Sequence, residues 1–187
     1  MKEIILASKS PRRKELLEKC GIDFTCDPAD IDESMNLKND LKEEIQLLAR
    51  KKAEAVLKRH PGALVIGSDT IVVVDGKVFG KPKNHDEAAA MLKQLQGRSH
   101  EVITGLCFCS KKKIWTDQVT SKVTFVPMDE AEIEKYIASG ECDDKAGAYG
   151  IQGLGGRYIE QIEGDYYAIM GLPLSLVYRE LKNINSY

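Results

Sequence analysis

The chain has 187 residues, of which 43% are hydrophobic and 30% are charged, and its formal net charge at pH 7 is −2. The near balance of 27 Lys and Arg against 29 Asp and Glu argues against duplex nucleic acid as its main partner. No stretch has the apolar length that spans a bilayer, and a strand beginning at Ile4 leaves no room for a signal peptide, so we expect a cytoplasmic protein that is not bound to membranes.

The first half of the chain alternates predicted strands and helices. A continuous apolar run over Ala63–Gly67 is typical of a buried central strand, and Asp75-Gly76 between two apolar runs predicts a tight hairpin turn. In chain order the predicted elements are strand Ile4–Ser8, helix Pro11–Cys20, strand Phe24–Pro28, helix Asp40–His60, strand Ala63–Gly67, strands Ile71–Val74 and Lys77–Phe79, and helix Asp86–Gln96.

The second half is richer in predicted strands. The elements are long strands at His100–Ser110 and Ile114–Val126, a helix from Met128 to about Gly140, a strand at Arg157–Glu163 and a last helix at Pro173–Lys182. This mixture predicts an α/β fold with one extended mixed sheet, helices on its faces and a cleft. The length suits one domain of ordinary size or two small lobes that share a cleft, and because the sequence contains no linker we expect one domain over residues 1–187.

The turn after the first strand predicts a polyphosphate site. Ser10 is placed as a helix N-cap, and Pro11 falls in the first helical turn, where the missing N–H of proline is not needed. Backbone N–H groups, the helix dipole and the hydroxyls of Ser8 and Ser10 would converge there. Arg12 and Arg13 add guanidinium groups suited to phosphate oxygens. Cations in the first turn of a helix are unfavourable because they oppose its dipole, and this favours a functional role for the two arginines. The alternative is a capped surface helix with a basic first turn.

Lys52 is the most informative single residue of the long predicted helix. A rotation of about 100° per residue from Leu41 places Ile45 at about 40° and Leu48 at about 340°, so an apolar stripe is centred on Leu41. Lys52 falls at about 20°, inside that stripe. A lysine there must extend its ammonium out to solvent or meet an anion. We interpret it as directed at a phosphate, with a solvent-seeking side chain as the alternative.

The segment Gly67-Ser68-Asp69-Thr70 follows the predicted central strand. It places Asp69 at the carboxyl end of that strand, where ligands gather in open α/β sheets. A carboxylate there can hold a divalent metal or accept a proton from a water nucleophile. The alternative is an ordinary Asp-Thr turn.

Two further segments carry candidate residues. Lys81 stands between Gly80 and Pro82, two backbone constraints that suit a positioned charge. Residues 147–156 contain five of the 15 glycines, which indicates backbone that something approaches closely. Within this segment the amide of Gln152 can donate and accept, as recognition of a uracil or thymine edge requires. The alternative is a flexible loop with an incidental glutamine.

Taken together, and in this order, the motifs closely resemble the Maf family of nucleoside triphosphate pyrophosphatases over residues 3 to about 182. The resemblance is specific because every motif occurs in the family's order. The motifs are Ser8-Lys9-Ser10-Pro11-Arg12-Arg13, Asp32-Glu33, Lys52-Ala53, Gly67-Ser68-Asp69-Thr70, Gly80-Lys81-Pro82, Asp144 to Gly153 and Gly171-Leu172-Pro173.

The resemblance implies a fold like that of inosine triphosphate pyrophosphatases, with an elongated mixed sheet and two lobes around a central cleft. It also implies a homodimer and a divalent metal, Mg²⁺ or Mn²⁺. Arg12, Thr70 and Gln152 match positions of the branch that prefers dTTP and UTP. We expect Glu33 and Asp69 to hold the metal, and Asp69 to activate the attacking water.

The expected reaction splits dTTP or UTP between the α and β phosphates, which would remove non-canonical or excess nucleotides. The remaining expected roles belong to residues that neutralise or bind the triphosphate: Ser8, Ser10, Arg13, Lys52, Lys81 and Lys145. Two alternatives stay open. The chain could be a nucleotide-sensing regulator of septum formation and cell division with little turnover, or a pyrophosphatase of 7-methyl-GTP.

Overall fold

The structure, a computed structural model, describes residues 3–185. Its strands form a seven-stranded sheet in the order β2-β1-β3-β5-β6-β7, with β4 paired to β3. The strands are β1 (Ile4–Leu6), β2 (Thr25–Cys26), β3 (Leu64–Val74), β4 (Lys77–Phe79), β5 (Ser99–Cys109), β6 (Ile114–Phe125) and β7 (Ile159–Glu163). The helices are α1 (Pro11–Glu18), α2 (Leu41–Arg59), α3 (His85–Leu95), α4 (Glu130–Ile137), α5 (Tyr166–Met170) and α6 (Leu174–Asn185).

The sheet contains both parallel and antiparallel pairs. Strand β1 runs parallel to β2 and to β3, with Ile5 opposite Val65. Strands β3 and β4 form an antiparallel hairpin whose turn residues, Asp75 and Gly76, both have positive φ, as a two-residue hairpin turn requires. Strands β6 and β7 are also antiparallel. The predicted α/β class and mixed sheet are confirmed.

Strand β3 differs most from the prediction. The sequence suggested two strands, Ala63–Gly67 and Ile71–Val74, separated by a polar turn, but Leu64–Val74 is one continuous strand. Ser68 and Asp69 stay in the strand with hydrogen-bond or ion-pair partners around them. The fully buried hydroxyl of Ser68 lies 2.9 Å from both the Gly105 and the Gly171 carbonyl oxygens and donates its proton to one of them.

Other differences are smaller. The first helix ends at Glu18 and not at Cys20, and the second strand keeps only Thr25–Cys26 of the predicted Phe24–Pro28. Helix α5 and two short 3₁₀ segments, Ala146–Ala148 and Leu154–Tyr158, were not predicted. Within residues 3–185, no helix is both long enough and apolar enough to traverse a bilayer.

The chain divides into two compact units. Among the described residues, the first comprises 3–69, 104–119 and 171–185, and the second comprises 70–103 and 120–170. Each has its own apolar core. In the first, α2 buries Ala53 and Val56 against Ile5 and Val65 of the sheet. In the second, the core includes residues of β3, α3, β6 and α4: Val72, Leu92, Phe125 and Tyr136.

Two glycines of the first unit let α2 lie unusually close to the sheet. A Cβ added to Gly67 on β3 would come within 2.2 Å of the Ala49 carbonyl oxygen, and one added to Gly105 on β5 within 2.3 Å of the Ile45 carbonyl oxygen. Real Cβ atoms do not approach a backbone atom so closely, so only glycine fits at either position. This close packing sets the height of α2 above the sheet, and with it the position of Lys52.

Candidate active site

The candidate active site of the first unit is built around Asp69 in the middle of β3. The Arg13 Nη2 lies 3.3 Å from Asp69 Oδ1, and the Lys52 Nζ lies 2.9 Å from Asp69 Oδ2. Three of the predicted site residues, from a helix N-terminus, a second helix and a strand, are therefore in contact. The expectation that Asp69 ends a strand was wrong, because β3 continues through it to Val74.

Lys52 does not extend alone into solvent but meets two carboxylates, while its predicted contact with a phosphate stays a prediction. Only 6% of the residue is exposed, and its Nζ donates to Asp69 Oδ2 at 2.9 Å and contacts Glu33 Oε1 at 3.0 Å. The ammonium is thus held between two carboxylates, one half-buried in the sheet and one on an exposed loop. An ammonium has three N–H donors, so these two contacts leave one donor for a phosphate oxygen.

The turn before α1 has the predicted cap, and the hydroxyls of both its serines accept hydrogen bonds from nearby backbone N–H groups. Ser10 caps the helix by accepting from the Arg13 backbone N–H at 3.5 Å, and the buried Ser8 Oγ accepts from the Ser10 N–H at 3.1 Å. The Arg13 side chain is held in turn by its Nε, which donates to the Gly171 carbonyl at 2.8 Å. The backbone N–H groups of Ser10 and Arg13 are therefore hydrogen-bonded within the turn itself.

The loop that carries Glu33 is fastened to the start of α2. The buried carboxylate of Glu44 accepts from the Asn36 backbone N–H at 3.0 Å and from the Asn39 side-chain amide at 2.6 Å. The hydrogen bond from Asn39, followed by that from Asn36, lowers the pKa of Glu44 below its usual value. Glu44 therefore remains a charged anchor for the loop at neutral pH. No sequence motif had marked it.

The carboxylates beside Lys52 have the ligand chemistry of the divalent-metal site that the family resemblance implies. The Asp69 and Glu33 carboxylate oxygens both lie within 3.0 Å of the Lys52 Nζ, so they converge on one point. Carboxylate oxygens are the ligands that Mg²⁺ and Mn²⁺ prefer, and Mg²⁺ commonly binds one or two carboxylates together with substrate phosphates. The single positive charge of Lys52 offsets only one of these two carboxylate charges, so a metal there would share the carboxylates with the ammonium.

The other predicted residues belong to the second unit, except for Arg12, which is half-buried on α1. Thr70 is half-buried on β3, and Lys81 is exposed after β4. Lys145 is turned inward, since its Nζ donates to the Glu141 carbonyl and to Asp144 Oδ1, both at 2.7 Å. Gln152 is exposed, between the two 3₁₀ segments.

The glycine-dense segment is approached closely, but by the protein itself. A Cβ added to Gly153 would come within 2.1 Å of Glu141 Oε2. That carboxylate accepts from the backbone N–H groups of Leu154 and Gly155 at 2.7 and 2.9 Å. Sequence reasoning identified the segment and missed Glu141, because one acidic residue about ten positions upstream carries no distinctive signal.

Known proteins resemble this chain along its whole length. The family model described as Maf-like protein matches residues 3–184. The chain belongs to the Maf-like family. A dTTP/UTP pyrophosphatase of Halalkalibacterium halodurans is 47% identical over 97% of this chain and 96% of its own length. One of Bacillus mycoides is 45% identical over 100% of this chain and 97% of its own length.

Among solved structures, the Ham1 protein of Staphylococcus aureus shares the fold of this Maf-like protein. The two superpose with a TM-score of 0.54 at 14% sequence identity, over 97% of this chain and 99% of the other. At so low an identity the likeness concerns the fold alone. It agrees with the architecture expected for the Maf-like chain from its sequence.

Proposed function

We propose that this Maf-like chain is a nucleoside triphosphate pyrophosphatase that hydrolyses dTTP and UTP to the monophosphate and pyrophosphate. The names of relatives at 45–47% identity over nearly the full length support this activity. The observation that carries it in the structure is the contact of Asp69 with Lys52 and Arg13, because a carboxylate between two cations suits hydrolysis of a polyphosphate. The cellular role would be removal of non-canonical or excess nucleotides.

In the proposed reaction, water attacks the α phosphorus, and the bond from that phosphorus to the oxygen bridging the α and β phosphates breaks. The water proton goes to the Asp69 carboxylate, and pyrophosphate leaves with the bridging oxygen. Lys52, Arg13 and the exposed Lys81 would neutralise charge on the triphosphate and on the leaving group. Ser8 and Ser10 would act by shaping the turn that presents Arg13.

A divalent cation is part of this proposal. Glu33 and Asp69 would hold Mg²⁺ or Mn²⁺, whose positive charge would polarise the phosphate oxygens and lower the pKa of a bound water. The carboxylate chemistry and the convergence of both groups on Lys52 support the assignment. Adding a chelator should abolish turnover, and adding back Mg²⁺ or Mn²⁺ should restore it.

Base selection is assigned to Arg12, Thr70 and Gln152, with Lys145 as a further contact to the substrate. Gln152 is exposed, and its amide offers the donor and the acceptor that a thymine or uracil edge needs. We also propose a homodimer in the cytoplasm. Light scattering on the purified protein measures the oligomeric state directly, and fractionation of cells measures the location.

A panel of nucleoside triphosphates tests the function. The purified protein is incubated with Mg²⁺ and each of dTTP, UTP, CTP, dATP, dGTP and 7-methyl-GTP, and released pyrophosphate is measured. Highest kcat/KM with dTTP and UTP is expected. Preference for 7-methyl-GTP would replace the proposed substrate, and nucleotide binding without release of pyrophosphate would favour the regulator of cell division.

A further inference from the structure

Segment 150–156 of the second unit is fixed at both ends by two side chains, the Glu141 carboxylate and the Tyr136 hydroxyl that donates to it. Glu141 Oε1 accepts from the Gly155 N–H at 2.9 Å and from the Tyr136 hydroxyl at 2.8 Å. Glu141 Oε2 accepts from the Leu154 N–H at 2.7 Å. The Tyr136 hydroxyl also accepts from the Gly150 N–H at 3.0 Å. The chain is therefore tied before and after Gln152, which lies between the fixed points.

The glycines of this segment make room for that network. A Cβ added to Gly153 would meet Glu141 Oε2 at 2.1 Å, and one added to Gly155 would meet the Tyr136 hydroxyl oxygen at 2.9 Å. Tyr136 itself is fully buried at the end of α4. The carboxylate and the phenol thus occupy the space that side chains would otherwise fill, and Tyr136 ties the segment to the end of α4.

The charge of Glu141 suits this task. Burial raises its pKa, but the backbone N–H groups of Gly155 and Leu154 and the Tyr136 hydroxyl lower it by more, so the net shift is downward. Three donors converge on one carboxylate, and a charged acceptor makes hydrogen bonds roughly twice as strong as a neutral one. The network is therefore complete at neutral pH.

We propose that Glu141, together with Tyr136, is a positioning residue that holds segment 150–156 in the conformation from which Gln152 recognises the nucleotide base. This inference rests on the proposed function, because it assumes that Gln152 contacts a pyrimidine. It assigns Glu141 to base selection and not to phosphate hydrolysis. Loosening the segment should therefore raise KM and weaken base discrimination while kcat changes little.

The principal variant is Glu141→Gln, which keeps the shape but replaces one acceptor oxygen with an NH₂ group that faces existing donors. Hydrogen exchange of the Leu154 and Gly155 backbone amides should become about tenfold faster or more, as expected from losing a charge-assisted hydrogen bond. KM for dTTP should rise by about tenfold because the loosened segment no longer holds Gln152 in place, while kcat stays within about threefold of wild type. The kcat/KM ratio of dTTP to dATP should fall.

Two further variants complete the experiment. Tyr136→Phe removes the hydrogen bond to the Gly150 N–H and one of the donors to Glu141. It should change amide exchange, KM and the substrate ratio in the same direction as Glu141→Gln but by less, and it provides the test if Glu141→Gln does not fold. Glu132→Gln is the matched control: it makes the same chemical change on α4, where the Glu132 side chain accepts from the Asp129 N–H at 3.0 Å. The control should leave exchange at 154–155, KM and the substrate ratio unchanged.

The outcomes separate this inference from the proposed function. Unchanged exchange at Leu154 and Gly155 in both Glu141→Gln and Tyr136→Phe would overturn the positioning role, whatever the enzyme hydrolyses. A loss confined to kcat, or an equal loss for dTTP and dATP, would also overturn it. If wild type releases no pyrophosphate from any nucleotide, the proposed function fails, and the base-selection role fails with it even where amide exchange responds as expected.

Discussion

At the residue scale, the first unit combines a buried ammonium with two carboxylates of unequal exposure. The side chain of Lys52 is 8% exposed, that of Asp69 15% and that of Glu33 58%. Burying an ammonium without partners is costly, whereas a buried pair that also makes hydrogen bonds can be tolerated. Asp69 is therefore the structural partner of Lys52, and Glu33, on an exposed loop, is the partner that can most easily turn to another cation.

Asp69→Asn should remove most turnover. The amide cannot take the proton from water and binds metal poorly, and loss of such a base lowers kcat by about 10²–10⁴. Its NH₂ group would also face Lys52 or Arg13, so the free energy of unfolding should fall by about 1–3 kcal/mol. Pyrophosphate release and urea unfolding measure the two effects.

The matched control is Asp75→Asn, which changes a surface carboxylate paired with Arg98. If Asp69→Asn keeps a kcat above about a tenth of the wild-type value, Asp69 is not the catalytic base.

Lys52→Met should reduce both activity and stability. Methionine fills the apolar stripe, but it leaves Asp69 and Glu33 without their shared cation, and we expect a loss of about 1–3 kcal/mol because both carboxylates keep some contact with water. Mg²⁺ or Mn²⁺ should then raise the melting temperature of the variant more than that of wild type. Thermal unfolding with and without metal measures this. Exposed Lys51→Met is the control, and a metal response equal to that of wild type would count against a metal site at these carboxylates.

At the element scale, the height of α2 above the sheet determines where Lys52 lies. The helix approaches at Gly67 and Gly105, two glycines on strands β3 and β5, which are neighbours in the sheet. The sequence predicted α2 closely, because Asp40 caps it and the apolar stripe has a helical period. It did not predict the approach, because a glycine inside a strand indicates that something comes near without saying what.

Gly67→Ala should push α2 away from β3. The added methyl group would lie 2.2 Å from the Ala49 carbonyl oxygen and 3.0 Å from the Ala53 Cβ, so the helix must shift. Overpacking of this kind costs about 1–3 kcal/mol, and a displacement of about 1 Å at Lys52 can lower kcat by about 10²-fold. Gly62→Ala, where nothing lies within 4 Å, is the matched control. Equal stability and kcat in the two variants would show that α2 is not held by this contact.

At the scale of the whole molecule, the sequence predicted what depends on neighbouring residues. Local signals gave the Ser10 cap, the Asp75-Gly76 turn, most element bounds and the anionic surroundings of Lys52. They did not predict that the Gly171 carbonyl holds Arg13. Gly171 lies 158 positions further along the chain and has no side chain to mark it. Contacts of that kind depend on strand order and register, which local patterns do not contain.

Part of the core of the second unit consists of aromatic rings around a buried histidine. His100 is 3% exposed, its Nε2 lies 2.7 Å from the Tyr149 hydroxyl, and its ring packs edge-on against Phe125 and Tyr149. Its Nδ1 has no hydrogen-bond partner among the described residues. Burial, and to a lesser extent the charge of Arg98, lowers the pKa of His100 to about 4. The folded molecule therefore keeps this imidazole neutral at pH values where the unfolded chain protonates it.

The free energy of unfolding should consequently fall as the pH drops from about 6.5 towards 4, because the unfolded state then binds more protons than the folded state. The contribution of His100 is at most about 1.4 kcal/mol per pH unit and about 3 kcal/mol across this window. Urea unfolding at half-unit steps of pH measures it. His100→Gln keeps an amide for the Tyr149 hydroxyl but does not titrate, so its curve should be flatter than that of wild type by that amount. Because carboxylates such as Glu141 titrate alike in both proteins, the difference between the two curves isolates His100, and coincident curves would contradict the assignment.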